Sequence, residues 1–373
     1  VDIDTFKDYF SAVDDNRQSA KITYPLFDLL FASLCAVIAG SKGWYDIREY
    51  ILGHHDWFKH NGMFKDGIPA DDTIARAIST IEPSAFQACF IDWMKAVHQM
   101  TDGQVVAIDG KTLKGSYNRE DRSSTIHMVS AYASENHLVL GQLKTDEKSN
   151  EISAIPELIR LLDLRGALVT IDAMACQTTI AKTILEQGGD YLLAVKQNQG
   201  KLANAITEAF SEQRRTFNDD VEFEYGHGRI ESRQCYVLDK ACLSGDFTRW
   251  PSMQSLVMVE SLRVEKGRPI SLEYRYYISS KSLTADEASR AIRSHWGIEA
   301  MHWVLDVNMG EDACQIYKDN GAANFACLRH MASNMVRAEP TKISLVAKQK
   351  RCLMNPSFLE KVLAAGIPAM VEK

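Results

Sequence analysis

The chain has 373 residues, 46% of them hydrophobic and 24% charged, with 21 Gly and 9 Pro; this excludes a collagen-like, low-complexity or disordered protein and leaves room for two or three domains at roughly 150 residues each. Lys and Arg number 42 against 49 Asp and Glu, a net charge of −7, which argues against a chain that is basic all over but leaves local basic patches open. Residues 1–15 are polar and carry five Asp, unlike a secretory leader, and the longest apolar run, 24–40, contains Asp28 and at 17 residues falls short of the roughly 20 that a membrane span needs.

In chain order, Leu26, Leu29, Leu30, Leu34, Val37 and Ile38 recur at helical spacing. Asp71 or Asp72 is placed to cap a helix carrying Ile74, Ile78 and Ile81, and Ser84 to cap another with Phe86, Phe90, Trp93 and Val97 on its apolar stripe. This reads as an α-helical domain over 1–100. It is a plain bundle rather than a helix-turn-helix. After Asp102-Gly103 the pattern changes to short β-branched runs. Strands are expected over 104–109 (QVVAID), 126–133 and 137–144, then a helix over 152–164, a strand over 167–172 (ALVTID), a helix over 175–187 and a strand over 190–196. Three strands in a meander followed by α-β-α-β imply an α/β sheet of mixed direction. A β-rich insertion at about 205–280 breaks the rhythm, with strands over 223–225, 229–238, 254–263 and 270–278 and a Lys266-Gly267 turn. Helix returns at Thr284-Ala285-Asp286-Glu287, which has capping-box form, and is expected to run on past Glu299. A further helix covers 322–336, and 342–351 (KISLVAKQKR) adds basic residues without an acid. The eight cysteines form neither a CxxC nor a CxxC…HxxxH pattern. Zinc ribbons and disulfide frameworks are therefore disfavoured, and free thiols suit a reducing cytoplasm.

Two strands end alike. One delivers Asp109, followed by Gly110-Lys111-Thr112; the other delivers Asp172, followed by Ala173-Met174. The C-terminal ends of strands line the ligand crevice of an open α/β sheet. Two carboxylates brought together there repel unless a cation lies between them, and hard oxygen ligands suit Mg²⁺ or Mn²⁺. Each Asp could instead cap the turn that follows it. Gly110-Lys111-Thr112 is not a P-loop, because Val105 stands where that motif needs Gly. Lys111 and Lys114 could contact phosphate or be solvated surface charges. His295, Glu299, His302 and Asp306 fall on one helical face if the helix is continuous. The alternative is a polar outer stripe with Trp296, Ile298 and Trp303 packed inward. Arg229 and Arg233 share a strand face, fit for phosphate contact or for cross-strand ion pairs.

The strings VAIDGKTLKGS, IHMVSAYA, LKTDEKSNEISAIPELI, VTIDAMACQ, GGDYLLAVKQNQG, HGRIESR, RYYISS, HWGIEAMHWVLDVNMGEDAC and GAANFACLRHMASN, in this order, resemble insertion-sequence transposases with DDE chemistry, and among them the H-repeat-associated group. The helical N-terminal part, with KITYPLFDLLFASLCAVIAG and GIPADDTIAR, resembles that group's own N-terminal domain. The resemblance implies an RNase H-like catalytic domain over 101–337 interrupted by the β-rich insertion, with a basic helical tail over 338–373. It places the metal carboxylates on Asp109, Asp172 and Glu299, at spacings of 63 and 127 residues. It implies two Mg²⁺ (or Mn²⁺) ions, double-stranded DNA with terminal inverted repeats and target DNA as partners, and a homodimer on DNA. The setting it implies is the bacterial cytoplasm, with no membrane. Phosphate ligands fall to Lys111, Lys114, Lys196, Arg229, Arg233, Arg293, His295 and His302. The rival functions are an RNase H-fold nuclease that only hydrolyses and an inactive DNA-binding remnant. Related transposases carry Tyr, Arg and Lys around the last acid where this chain has Ile292, His295 and Asp306.

Overall fold

A computed structural model describes residues 3–145, 151–214, 221–226 and 228–367. The first helices are α1 (Ile3–Phe10), α2 (Leu26–Ile38), α3 (Trp44–Gly53), α4 (His55–His60), α5 (Asp71–Ser79) and α6 (Pro83–Val97). Then come β1 (Val105–Thr112), β2 (His127–Ala133), β3 (Leu138–Thr145), α7 (Glu151–Leu161), β4 (Leu168–Ile171), α8 (Thr178–Glu186), β5 (Asp190–Val195) and α9 (Gly200–Gln213). Strands β6 (Glu224–Gly226), β7 (Arg229–Asp239), β8 (Ser255–Glu265) and β9 (Ser271–Ser279) follow. The chain closes with α10 (Ala285–His295), α11 (Gly297–Val307), α12 (Gly321–Ala338), α13 (Leu345–Met354) and α14 (Pro356–Ala365). Among the described residues no helix is long and apolar enough to cross a membrane.

The chain forms two compact units that do not follow chain order. The first comprises Val1–Gln99, Gly110–Ala154 and Glu299–Lys373; the second comprises Met100–Asp109 and Ile155–Ile298.

In the first unit α2 is apolar on every side, and Leu29–Ile38 are buried all round, as a helix at the centre of a bundle must be. Helix α12 is likewise buried from Gly321 to Val336. Its polar residues are spent on backbone: Asn324 Nδ2 donates to the carbonyls of Ile78 (2.8 Å) and Ile81 (3.0 Å). Asn334 both donates to the Val139 carbonyl (2.8 Å) and accepts from the Val139 amide (2.9 Å). Buried amide side chains need such partners. The start of α5 corrects the expected cap. Ala70 is the N-cap and Asp71 and Asp72 lie in the first turn, where carboxylates favour the positive end of the helix dipole. Ser84 is no cap either, because Glu82 precedes Pro83 at the first helical position, a place proline is built for.

The second unit is built on a mixed sheet in the order β1-β4-β5-β9-β8-β7-β6. β1, β4 and β5 run parallel, and β9 turns antiparallel against β5, with Leu193 opposite Ile278. The β-rich segment therefore prolongs this sheet strand by strand. A core of Val105, Leu168, Leu192, Val257 and Val259 packs under Ala288, Ala291 and Ile292 of α10. The Thr284 capping box forms as expected: its hydroxyl accepts from the Glu287 amide, and the Glu287 carboxylate accepts from the Thr284 amide at 2.8 Å.

The helix expected to run unbroken past Glu299 is two helices. α10 ends at His295, Trp296 turns, and α11 starts at Gly297. His295 and Glu299 therefore do not share a continuous helical face. On α11 the inward residues are Ile298, Met301 and Leu305. Trp296 (45% exposed) and Trp303 (60%) lie outward, against the alternative that packed them inside.

Candidate active site

The site in the second unit follows from strand register. Ile108 pairs with Ile171 in the parallel β1–β4 ladder, strands that neighbour each other at about 4.8 Å; Asp109 follows Ile108 within β1, and Asp172 follows Ile171 just past the end of β4. Asp109 is half-buried and Asp172 exposed. Asp172 begins the short 3₁₀ turn Ala173–Ala175, yet its side chain accepts no capping hydrogen bond there, which removes the simplest structural use for it. The loop beyond is held from outside: Asn198 Nδ2 donates to the Ala173 carbonyl (2.7 Å) and Gln199 Nε2 to that of Cys176 (2.9 Å).

Thr170, two residues before Asp172, hydrogen-bonds His295 Nδ1 at 2.9 Å through its hydroxyl. Burial holds the His295 imidazole below its ordinary value, opposed by the nearby Asp172 charge. His295 is thus a neutral, oriented ring beside the Asp pair at neutral pH. Burial likewise raises the Tyr277 phenol, and the Asp172 charge adds to the effect. Thr170 escaped the sequence reading because a strand threonine has no local signal of its partner 125 residues away.

The basic residues expected on DNA are distributed unevenly. Lys196 is exposed just beyond β5 and Arg293 is exposed on α10. Arg229 pairs with Glu231 (3.1 Å), the cross-strand alternative realised within one strand. Arg233 is exposed on β7. Two further arginines on these strands escaped notice: Arg263 reaches Glu265 (3.2 Å), and Arg275 lies over the Trp296 ring (5.7 Å). His227 lies outside the described residues.

In the first unit Glu299 is exposed in the first turn of α11. Lys111 and Lys114 are engaged with carboxylates. Lys111 is bonded to Asp306 and Glu311 (2.7 Å to Glu311) and lies 3.6 Å from Asp312, while Lys114 pairs with Asp312 (2.8 Å). Glu311 is almost wholly buried, and against the cost of that burial the charges of Lys111 and Arg329 hold its carboxyl below the usual range. His302 is mostly buried and held down to about 4 by burial and the Lys111 charge. Gly110 is required beside Asp109 because any side chain there would run into the ion-paired His127 and Glu151.

Asp109 and Asp172 offer hard oxygen donors, one of them without a structural bond at its cap position, and this fits Mg²⁺ or Mn²⁺ rather than a softer ion. Among the described residues no three His, Cys, Asp or Glu side chains gather as a closed ligand set.

Comparison with known proteins gives a consistent result. A family described as "Transposase DDE domain" matches residues 100–335, and one described as "DDE_Tnp_1-associated" matches residues 7–94. "Putative transposase YncI" of Escherichia coli O157:H7 is 44% identical over 373 residues, covering 98% of this chain and 96% of its own. "H repeat-associated putative transposase YhhI" of Escherichia coli K12 is 43% identical over 375 residues, covering 98% and 99%. A piggyBac transposase in a synaptic complex with hairpin DNA overlays 96% of this chain and 80% of its own, at 12% identity and a TM-score of 0.44.

Proposed function

Because the chain belongs to the transposase DDE domain family, we propose that it cuts double-stranded DNA at the terminal inverted repeats of an insertion element and joins the freed 3′-OH to target DNA. The observation that carries this reading is the pairing of Ile108 with Ile171 on adjacent parallel strands, each followed in the chain by an aspartate, Asp109 and Asp172. Asp109, Asp172 and Glu299 would hold the ions, within an RNase H-like domain over 101–337 that follows the helical 1–100 and precedes the basic 338–373. When bound, Mg²⁺ or Mn²⁺ supplies the charge that makes water or a 3′-OH a nucleophile and stabilises the leaving oxygen. His295, oriented by Thr170, presents its ring beside Asp172 to a phosphate oxygen. Lys196, Arg229, Arg233 and Arg293 neutralise backbone phosphates, which a chain of net charge −7 must do locally. The protein works as a homodimer on DNA in the bacterial cytoplasm.

The test is a linear duplex ending in the element's inverted repeat, incubated with protein and a supercoiled target. Joined products are the expected result; nicking without joining would make the protein a hydrolytic nuclease, and neither would refute the reading. Mg²⁺ or Mn²⁺ should support cleavage, and Ca²⁺, which is less exacting in geometry, should support binding with little cleavage. Full cleavage in excess chelator would overturn the metal-dependent mechanism.

Arg233→Ala should weaken DNA binding uniformly across sequences and lower the slope of log affinity against log salt by about 1, the signature of one lost phosphate contact. A gel-shift series from low to high salt reads both. An unchanged slope would remove Arg233 from the DNA surface.

A further inference from the structure

We propose that Lys111 is a positioning residue that clamps α11, the helix carrying Glu299, and thereby sets the chain's affinity for a divalent cation. The inference rests on the reading of Glu299 as a metal carboxylate.

Three observations carry it. Asp306 lies seven residues beyond Glu299 on the same short helix, two turns along one face, so whatever fixes Asp306 fixes Glu299. Helix α11 is not continued from α10; Trp296 separates them. The helix also buries Ile298, Met301 and Leu305. Apolar packing decides which face turns inward, but each such contact is weak and non-directional, and a short stripe resists sliding along the helix axis poorly. The Lys111 ammonium supplies direction. It is bonded to Asp306 on α11 and to Glu311 (2.7 Å) in the turn that follows, and that turn is tied back by the Glu311 amide donating to the Leu305 carbonyl (3.1 Å).

The clamp is set inside the protein. The Lys111 side chain is 13% exposed and that of Glu311 2%, unlike a solvated ion pair of negligible worth. The segment after Lys111 lies flush against the same turn: a side chain at Gly115 would run into the carbonyls of Asp312 and Cys314. Lys111 is also two residues along the chain from Asp109. Within the first unit, a cation at this position therefore ties the segment beginning at Gly110 to Asp306 on α11. Groups that orient ligands without touching the ion commonly change metal affinity by about 10–100-fold.

The experiment uses the full chain with Lys111→Met, Lys111→Arg, Asp306→Asn and Glu299→Gln. Mn²⁺ binding is followed by the electron paramagnetic resonance of free Mn²⁺, and amide exchange over residues 297–307 is followed in the metal-free protein. Lys111→Met is expected to raise the Mn²⁺ dissociation constant by about tenfold and to speed α11 exchange by a similar factor. Lys111→Arg should restore both, and Asp306→Asn should reproduce part of each change. A purely structural lysine would lower thermal stability and leave Mn²⁺ affinity unchanged; that result overturns the proposal. If Lys111→Met fails to melt cooperatively, Asp306→Asn decides, because it leaves Glu311 its partner, and unchanged Mn²⁺ affinity there overturns the clamp. Glu299→Gln separates the two readings. If it binds Mn²⁺ like the parent, the assignment of Glu299 fails; if it binds weakly while Lys111→Met does not, only the clamp fails.

Discussion

Cleavage of end-repeat DNA is expected to fall by several orders of magnitude in Asp109→Asn, while DNA binding persists or tightens. Asparagine keeps the size and one acceptor oxygen of aspartate but removes the charge that would hold a cation beside β1. Fixed charge at the reacting phosphate is the largest contribution in this kind of chemistry. The same negative charge repels the DNA backbone when no ion screens it, so its loss costs binding nothing. Because Asp172 directly follows Ile171, the register partner of Ile108, Asp172→Asn should behave alike. Gel shift and cleavage on one substrate measure both properties. An Asp109→Asn protein that cleaves like the parent would mean that the chain does not work through that residue.

The second large effect concerns stability against acid. His302 and His330 are enclosed in the first unit and are held down to about 4, mainly by burial, with the Lys111 charge adding to both and Arg329 to His330. In the unfolded chain both return to the ordinary value of about 6.5. Between pH 6.5 and 4 the unfolded state therefore binds more protons than the folded one, so stability is fully present above pH 6.5 and falls as pH drops through that window. At about 1.4 kcal/mol per pH unit for each ring, the loss by pH 4 is on the order of 3 kcal/mol or more. Urea midpoints at pH 7.0, 5.5 and 4.5 should fall in that order, and His330→Gln should flatten the dependence. A midpoint independent of pH over this range would show that neither ring is held neutral by the fold.

Most of the candidate site in the second unit was legible in the sequence because its signals are local. The apolar runs leading to Ile108-Asp109 and Ile171-Asp172 are rich in β-branched residues and carry their own strand propensity; β4 stops before Asp172, whereas β1 runs on past Asp109 to Thr112. The Thr284 box is complete within four residues. The break at Trp296 was not legible: apolar residues continue at helical spacing across 292–305, and Gly297 alone weakens a helix without ending it.

Lys111 marks the boundary between the two kinds of knowledge. Its sequence neighbours, Gly110 and Thr112, suggest a phosphate-binding turn, and 49 acidic residues offered it no distinguishable partner. Composition, strand and helix periods, caps and the order of the long motifs are properties of neighbouring residues, and the sequence by itself determined the family and the secondary structure through them. Only the tertiary structure decided that Ile108 pairs with Ile171, that Thr170 orients His295, and that Lys111 meets Asp306 and Glu311, 195 and 200 residues away. The physical reason is that ion pairs and hydrogen bonds between distant segments are chosen by how apolar surfaces pack. That packing brings together donors and acceptors that no local pattern associates.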